Sequence, residues 1–123
     1  MKTEENLQRN FNGETMEVGL YLAMSKRAEE EGYPQIALYL RQVAMDEAWH
    51  AAEVARMLGK IGDTRANLEK MLNGELGAQK GKAEAGRVAR EEGNSTAAEW
   101  FERASADEAR HAAGLKGFLD RMG

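Results

Sequence analysis

At 123 residues the chain is long enough for one domain with a real core, and at 42% hydrophobic and 31% charged it is neither a disordered chain nor a membrane span. A net charge of −4 with both signs interspersed leaves no basic patch for nucleic acid. No run of about 18 apolar residues exists to cross a bilayer, and the polar start from Met1 to Asn6 lacks the apolar stretch of a secretion signal, so the cytoplasm is the expected compartment. Cysteine is absent, which excludes disulfides, thiolate catalysis, iron–sulfur clusters and Cys-based zinc sites, so any metal must use Glu, Asp and His.

Four helices are predicted, near 4–31, 34–59, 64–92 and 95–121. The first carries Leu7, Phe11, Glu14, Val18, Tyr21, Ser25 and Ala28 at alternating spacings of four and three, which is a bundle-core stripe. Gly32-Tyr33-Pro34 ends it and starts the second, since Gly fits just past a helix C-terminus and Pro an early helical position. The second repeats the spacing with Ile36, Leu40, Val43, Glu47, His50, Val54, Met57 and Ile61. A short linker, Gly59 to Thr64, follows, with a cap expected at Asp63 or Thr64. The third helix has a weaker stripe of Leu68, Leu72, Glu75, Gln79, Lys82, Gly86 and Ala89, and its glycines at 74, 77, 81 and 86 predict close packing. Gly93-Asn94-Ser95 makes the next turn, with Asn or Ser able to cap. The fourth helix presents Ala97, Phe101, Ala104, Glu108, His111, Leu115, Phe118 and Met122.

The chain is written twice. Sliding it by 61 residues aligns 6–60 with 67–121 without a gap, and 17 of the 55 pairs are identical. Those identities cluster in blocks (Asn12-Gly-Glu14 with Asn73-Gly-Glu75, Asp46-Glu-Ala with Asp107-Glu-Ala), which favours a duplicated helical hairpin over shared helical composition. Glu14 lies 18 residues before Gly32, Glu47 lies 15 after it and His50 lies 18 after it; Gly93 repeats the numbers for Glu75, Glu108 and His111. At about 1.5 Å per residue the facing groups of each hairpin share a level to within roughly one helical turn. If the hairpins meet at that level, six side chains converge: Glu14, Glu47, His50, Glu75, Glu108 and His111.

Four carboxylates together in a core would repel and lose hydration. Two divalent cations carry +4 and cancel them, which points to two metals. Oxygen ligands with one imidazole per metal suit iron, with manganese the alternative; tetrahedral zinc would take fewer carboxylates. A single Glu-x-x-His is usually a solvated helix face; two in register, with core Glu partners and no other His in the chain, favour a metal centre.

One Glu from each of two helices plus Glu-x-x-His from each of the other two is the ligand set of the di-iron carboxylate bundles. With Gly13-Glu-Thr-Met-Glu17, the Glu30-Glu-Gly-Tyr33 turn and both Glu-x-x-His motifs, nearly the whole chain resembles the rubrerythrin branch of the ferritin-like superfamily. The resemblance implies an all-α, ferritin-like four-helix bundle, a single domain over 1–123, and a non-haem di-iron oxidoreductase that reduces hydrogen peroxide or reacts with oxygen. An iron-handling ferroxidase is the alternative, and a metal-free helical interaction module a third reading. Tyr21 matches a tyrosine near the metals of that family and is the candidate catalytic residue. The absence of Cys removes a rubredoxin-type iron site from this chain, so electrons are expected from an external donor such as a separate rubredoxin. The family's extra Glu usually lies in the second copy, where this chain has Ala78; the matching place in the first copy is Glu17, the candidate seventh ligand.

Bland roles are expected elsewhere. Glu53 reads as solvated, and Trp49, Trp100 and the methionines as packing or interface. Asp46 and Asp107 either orient the histidines or lie in solvent. Lys82, in the place matching Tyr21, either sits near the metals or snorkels outward, and the second is the expectation. A linker of five or six residues reaches only about 20 Å, short of a helix about 39 Å long, so the long ferritin crossover cannot close in one chain. Either the bundle runs up-down-up-down, or two chains exchange hairpins; a homodimer is expected.

Overall fold

The computed structural model describes all 123 residues and is all-α, with four helices and no strand: α1 (Lys2–Glu30), α2 (Pro34–Met57), α3 (Thr64–Glu91) and α4 (Ser95–Arg121). The chain divides into two compact units, Met1–Ile61 and Gly62–Gly123, each holding one copy of the repeat. In the first, α1 packs on α2; in the second, α3 packs on α4.

The helix ends follow local chemistry. Gly32, Gly59 and Gly93 take positive φ of 84°, 71° and 76°, where a side chain would be strained. Each lets the next N–H turn back onto the helix: Tyr33 N to Ala28 O at 2.8 Å, Lys60 N to Ala55 O at 3.0 Å and Asn94 N to Ala89 O at 2.9 Å. Pro34 occupies the first position of α2. Of the two caps expected for α3 the structure uses Asp63, whose Oδ1 accepts from Ala66 N at 2.8 Å. Asn94 Oδ1 does the same for Ala97 N at 3.0 Å.

The fully buried residues of each hairpin are small. Ala28, Ala37, Ala44, Ala51, Ala55 and Ser25 are buried in the first; Gly86, Ala89, Ala98 and Ala112 in the second. Ser25 Oγ donates to Ala37 O at 2.6 Å and Ser105 Oγ to Gln79 O at 2.9 Å, tying each pair of helices together through a main-chain carbonyl. Ser25 and Ala28 of the α1 stripe and Gly86 and Ala89 of the α3 stripe lie in this seam, whereas the α2 and α4 stripes flank it. Leu40, Val43 and Val54 are half-buried, while Ile36, Met57, Ile61, Phe118 and Met122 are exposed. The physical reason is that two helices meet closely only where Cβ is the largest group, so the larger side chains lie beside the contact line. Of the four α3 glycines, Gly86 alone fits the expectation of close packing: a Cβ there would meet Phe101 Cβ at 3.4 Å, whereas Gly74, Gly77 and Gly81 have open space.

Candidate metal centre

Each hairpin gathers one Glu from its first helix and a Glu-x-x-His pair from its second. Residues three apart on a helix lie on one face, so Glu47 and His50 both turn toward Glu14, and Glu108 and His111 toward Glu75. Within each trio the candidate donor atoms all lie within 4.8 Å of one another. His50 Nδ1 is 3.4 Å from Glu14 Oε2 and 3.7 Å from Glu47 Oε1. His111 Nδ1 is 3.4 Å from both Glu75 Oε2 and Glu108 Oε1. The repeat in sequence is thus a repeat in geometry.

The carboxylates are largely shielded from water, with side chains 16 to 19% exposed, whereas the imidazoles are about half exposed, at 57% and 51%. Glu14 Oε2 and Glu75 Oε2 are buried and accept no hydrogen bond, although a histidine nitrogen stands 3.4 Å from each. A buried charged oxygen without a partner is costly. An oxygen and a nitrogen that approach without bonding each other are arranged as two donors to a common cation; ligand atoms about 2.1 Å from one ion stand roughly 3.0–3.5 Å apart. Hard carboxylate oxygens with one imidazole per cluster match iron or manganese. The residues present therefore fit a divalent metal in each cluster.

The residues around the two clusters differ. Glu17 is exposed on α1, and its carboxyl is held above its ordinary range by a hydrogen bond with the Glu47 carboxyl, then by desolvation and the nearby Glu47 charge. Glu17, the candidate seventh ligand, does not belong to the Glu14, Glu47, His50 trio. At the other cluster Lys82 does not snorkel outward. Its Nζ donates to Glu108 Oε2 at 3.1 Å, with side chains 28% and 18% exposed. Sequence periodicity places Lys82 on the right face, but the pull of a shielded carboxylate sets its direction. Tyr21 is half-buried, and neither it nor Ala78 belongs to a trio. Asp107 pairs with Arg110 at the surface, so it does not orient His111. A cleft lined by Lys82, Trp100, Arg103, Asp107, Glu108 and His111 opens beside the second cluster.

A family model described as Rubrerythrin matches residues 5–119. The chain is 50% identical over 119 residues to an uncharacterised protein of Methanocaldococcus jannaschii, covering 96% of this chain and 84% of that one. It is 39% identical over 119 residues to reverse rubrerythrin-1 of Clostridium acetobutylicum, covering 95% of this chain and 66% of the relative. A rubrerythrin of Porphyromonas gingivalis is 40% identical over 62 residues, which are 50% of this chain and 31% of that protein.

Proposed function

As the chain belongs to the rubrerythrin family, a family of di-iron proteins, we propose that it is a non-haem di-iron peroxidase that reduces hydrogen peroxide with electrons from an external donor, such as a separate rubredoxin. The observation that carries this reading is the pair of repeated Glu, Glu, His trios, each with a buried carboxylate oxygen that no protein group satisfies. Glu14, Glu47 and His50 would hold one iron and Glu75, Glu108 and His111 the other. When bound, the irons supply the two electrons that peroxide reduction consumes, and the donor restores them. The reaction takes up two protons and yields two waters.

The chain's own residues do the rest. The four glutamates set a charge of −4 against two divalent ions, and their shielding strengthens every electrostatic contact in the site. The cleft beside Lys82, Glu108 and His111 offers a small oxidant an approach. Glu17, three residues after Glu14 on the same helix, is assigned as an added carboxylate for the more highly charged oxidised metals. Tyr21 is assigned to the oxidant side of the site, on the strength of the family resemblance.

We assign the completing hairpin to a second copy of the chain. Residues 58–63 between α2 and α3 reach about 20 Å, while α2, with 24 residues, is about 36 Å long. The large apolar side chains left exposed beside the alanine seam, among them Ile36, Met57 and Phe118, give such an assembly a surface to bury. Light scattering should give twice the chain mass of 13.6 kDa; a monomer that retains two metals would refute hairpin exchange.

The activity is tested by stopped-flow oxidation of the anaerobic ferrous protein. Peroxide should oxidise it much faster than oxygen does, and the Glu47→Ala, Glu108→Ala double variant should lose both metals and the reaction. A site that reacts only with oxygen and then takes up iron far beyond two per chain would turn the assignment to a ferroxidase.

A further inference from the structure

The two clusters repeat each other in their Glu and His but not in what touches the Glu-x-x-His glutamate. Glu47 pairs with no Lys or Arg, only with its own His50 at 3.7 Å. Glu108 also meets an ammonium, Lys82, at 3.1 Å. The residue aligned with Lys82 is Tyr21, which carries no charge that could even the difference. The α1/α2 cluster therefore offers two carboxylates and no lysine or arginine cation, the α3/α4 cluster two carboxylates and one cation. Glu108 also divides its oxygens: Oε1 faces His111 and Oε2 is held by Lys82. With Lys82 in place, one oxygen of Glu108 remains free to face a metal.

We propose that Lys82 is a resident counter-charge that makes the two clusters bind divalent metal unequally: the α1/α2 cluster fills first, and the α3/α4 cluster fills second and more weakly, against the ammonium held on Glu108. This rests on the reading of the two trios as metal sites. Lys82 is a positioning residue; it acts through the glutamate it touches, by repelling the incoming ion and by occupying one carboxylate oxygen.

The test is an anaerobic titration of the full chain with Co(II), followed by calorimetry and by the visible absorption of the bound ion. The wild-type protein should bind two ions per chain in two steps separated by at least about tenfold in affinity. Lys82→Met should still bind two, with the weak step tightened by about ten- to hundredfold, the range by which groups next to metal ligands alter affinity. Lys82→Gln makes the same charge change should Met disturb folding. Lys82→Arg keeps the charge and should keep the two separate steps. Two equal steps in the wild type, or a weak step that Lys82→Met leaves unchanged or loosens, would overturn the proposal while leaving the metal sites standing. A folded wild-type chain that binds no cobalt would overturn the metal reading, and this proposal with it.

Discussion

Replacing Glu75 with Leu should make the protein more stable without metal and less stable with it. Glu75 Oε2 is buried and accepts no hydrogen bond, and the side chain as a whole is only 17% exposed. An unsatisfied buried polar group costs about 1–3 kcal/mol, more when charged. Leu forms helix as readily as Glu and places apolar carbon where the orphaned oxygen was, so in chelator the variant should gain roughly that amount. Bound metal reverses the order. At a free concentration of about 100 times Kd, a site that only the folded chain presents contributes about 2.7 kcal/mol, and the variant forfeits one such site. Thermal melts with chelator, and with Fe(II) under anaerobic conditions, read both signs, since 1 kcal/mol moves Tm by a few degrees in a protein of this size. A variant that melts below the wild type in chelator would refute the reasoning, because Glu75 would then be a satisfied structural group.

Three further outcomes follow from the fold. Ala98 is fully buried on the α3/α4 seam, so Ala98→Leu should cost about 1–3 kcal/mol in denaturant unfolding through overpacking; unchanged stability would mean that the helices do not meet there. Asn94→Ala removes the cap on Ala97 N and should cost about 1 kcal/mol, visible as a lower Tm with unchanged metal content. Arg90 Nε and an Nη donate to the two oxygens of Glu102 at 2.8 and 3.0 Å, and this pairing holds the Glu102 carboxyl below its usual range. A depressed acid stabilises above its unfolded pKa, near about 4.3, and loses that contribution as pH falls through the folded value. NMR titration should therefore place the Glu102 midpoint low in the wild type and back near the unfolded value in Arg90→Ala.

Much of the site is legible in the sequence because helical geometry is regular. A fixed distance from Gly32 and Gly93 sets the level of each Glu and His, and a spacing of three puts Glu47 with His50 and Glu108 with His111 on one face. Both trios close up as the spacing predicts. The seam of each hairpin is less legible. A four-three stripe shows which face is apolar, not how closely two helices approach, and close approach selects Ala37, Ala44 and Ala51 over Ile36, Val43 and His50. A signal was present: the pairs Ala28/Ala89, Ala37/Ala98 and Ala51/Ala112 are identical between the copies, and all six residues are buried. The direction of Lys82 was not legible at all. Its long stem reaches either water or Glu108, and the choice depends on a shielded charge across the hairpin.

The central claim is a two-metal centre built from repeated Glu, Glu, His trios, and elemental analysis of protein loaded anaerobically with ferrous iron tests it most directly. The account predicts about two irons per chain, as the two trios require, and near none in the Glu47→Ala, Glu108→Ala variant. A well-folded wild-type chain that retains no iron, or a variant that retains as much as the wild type, would contradict it.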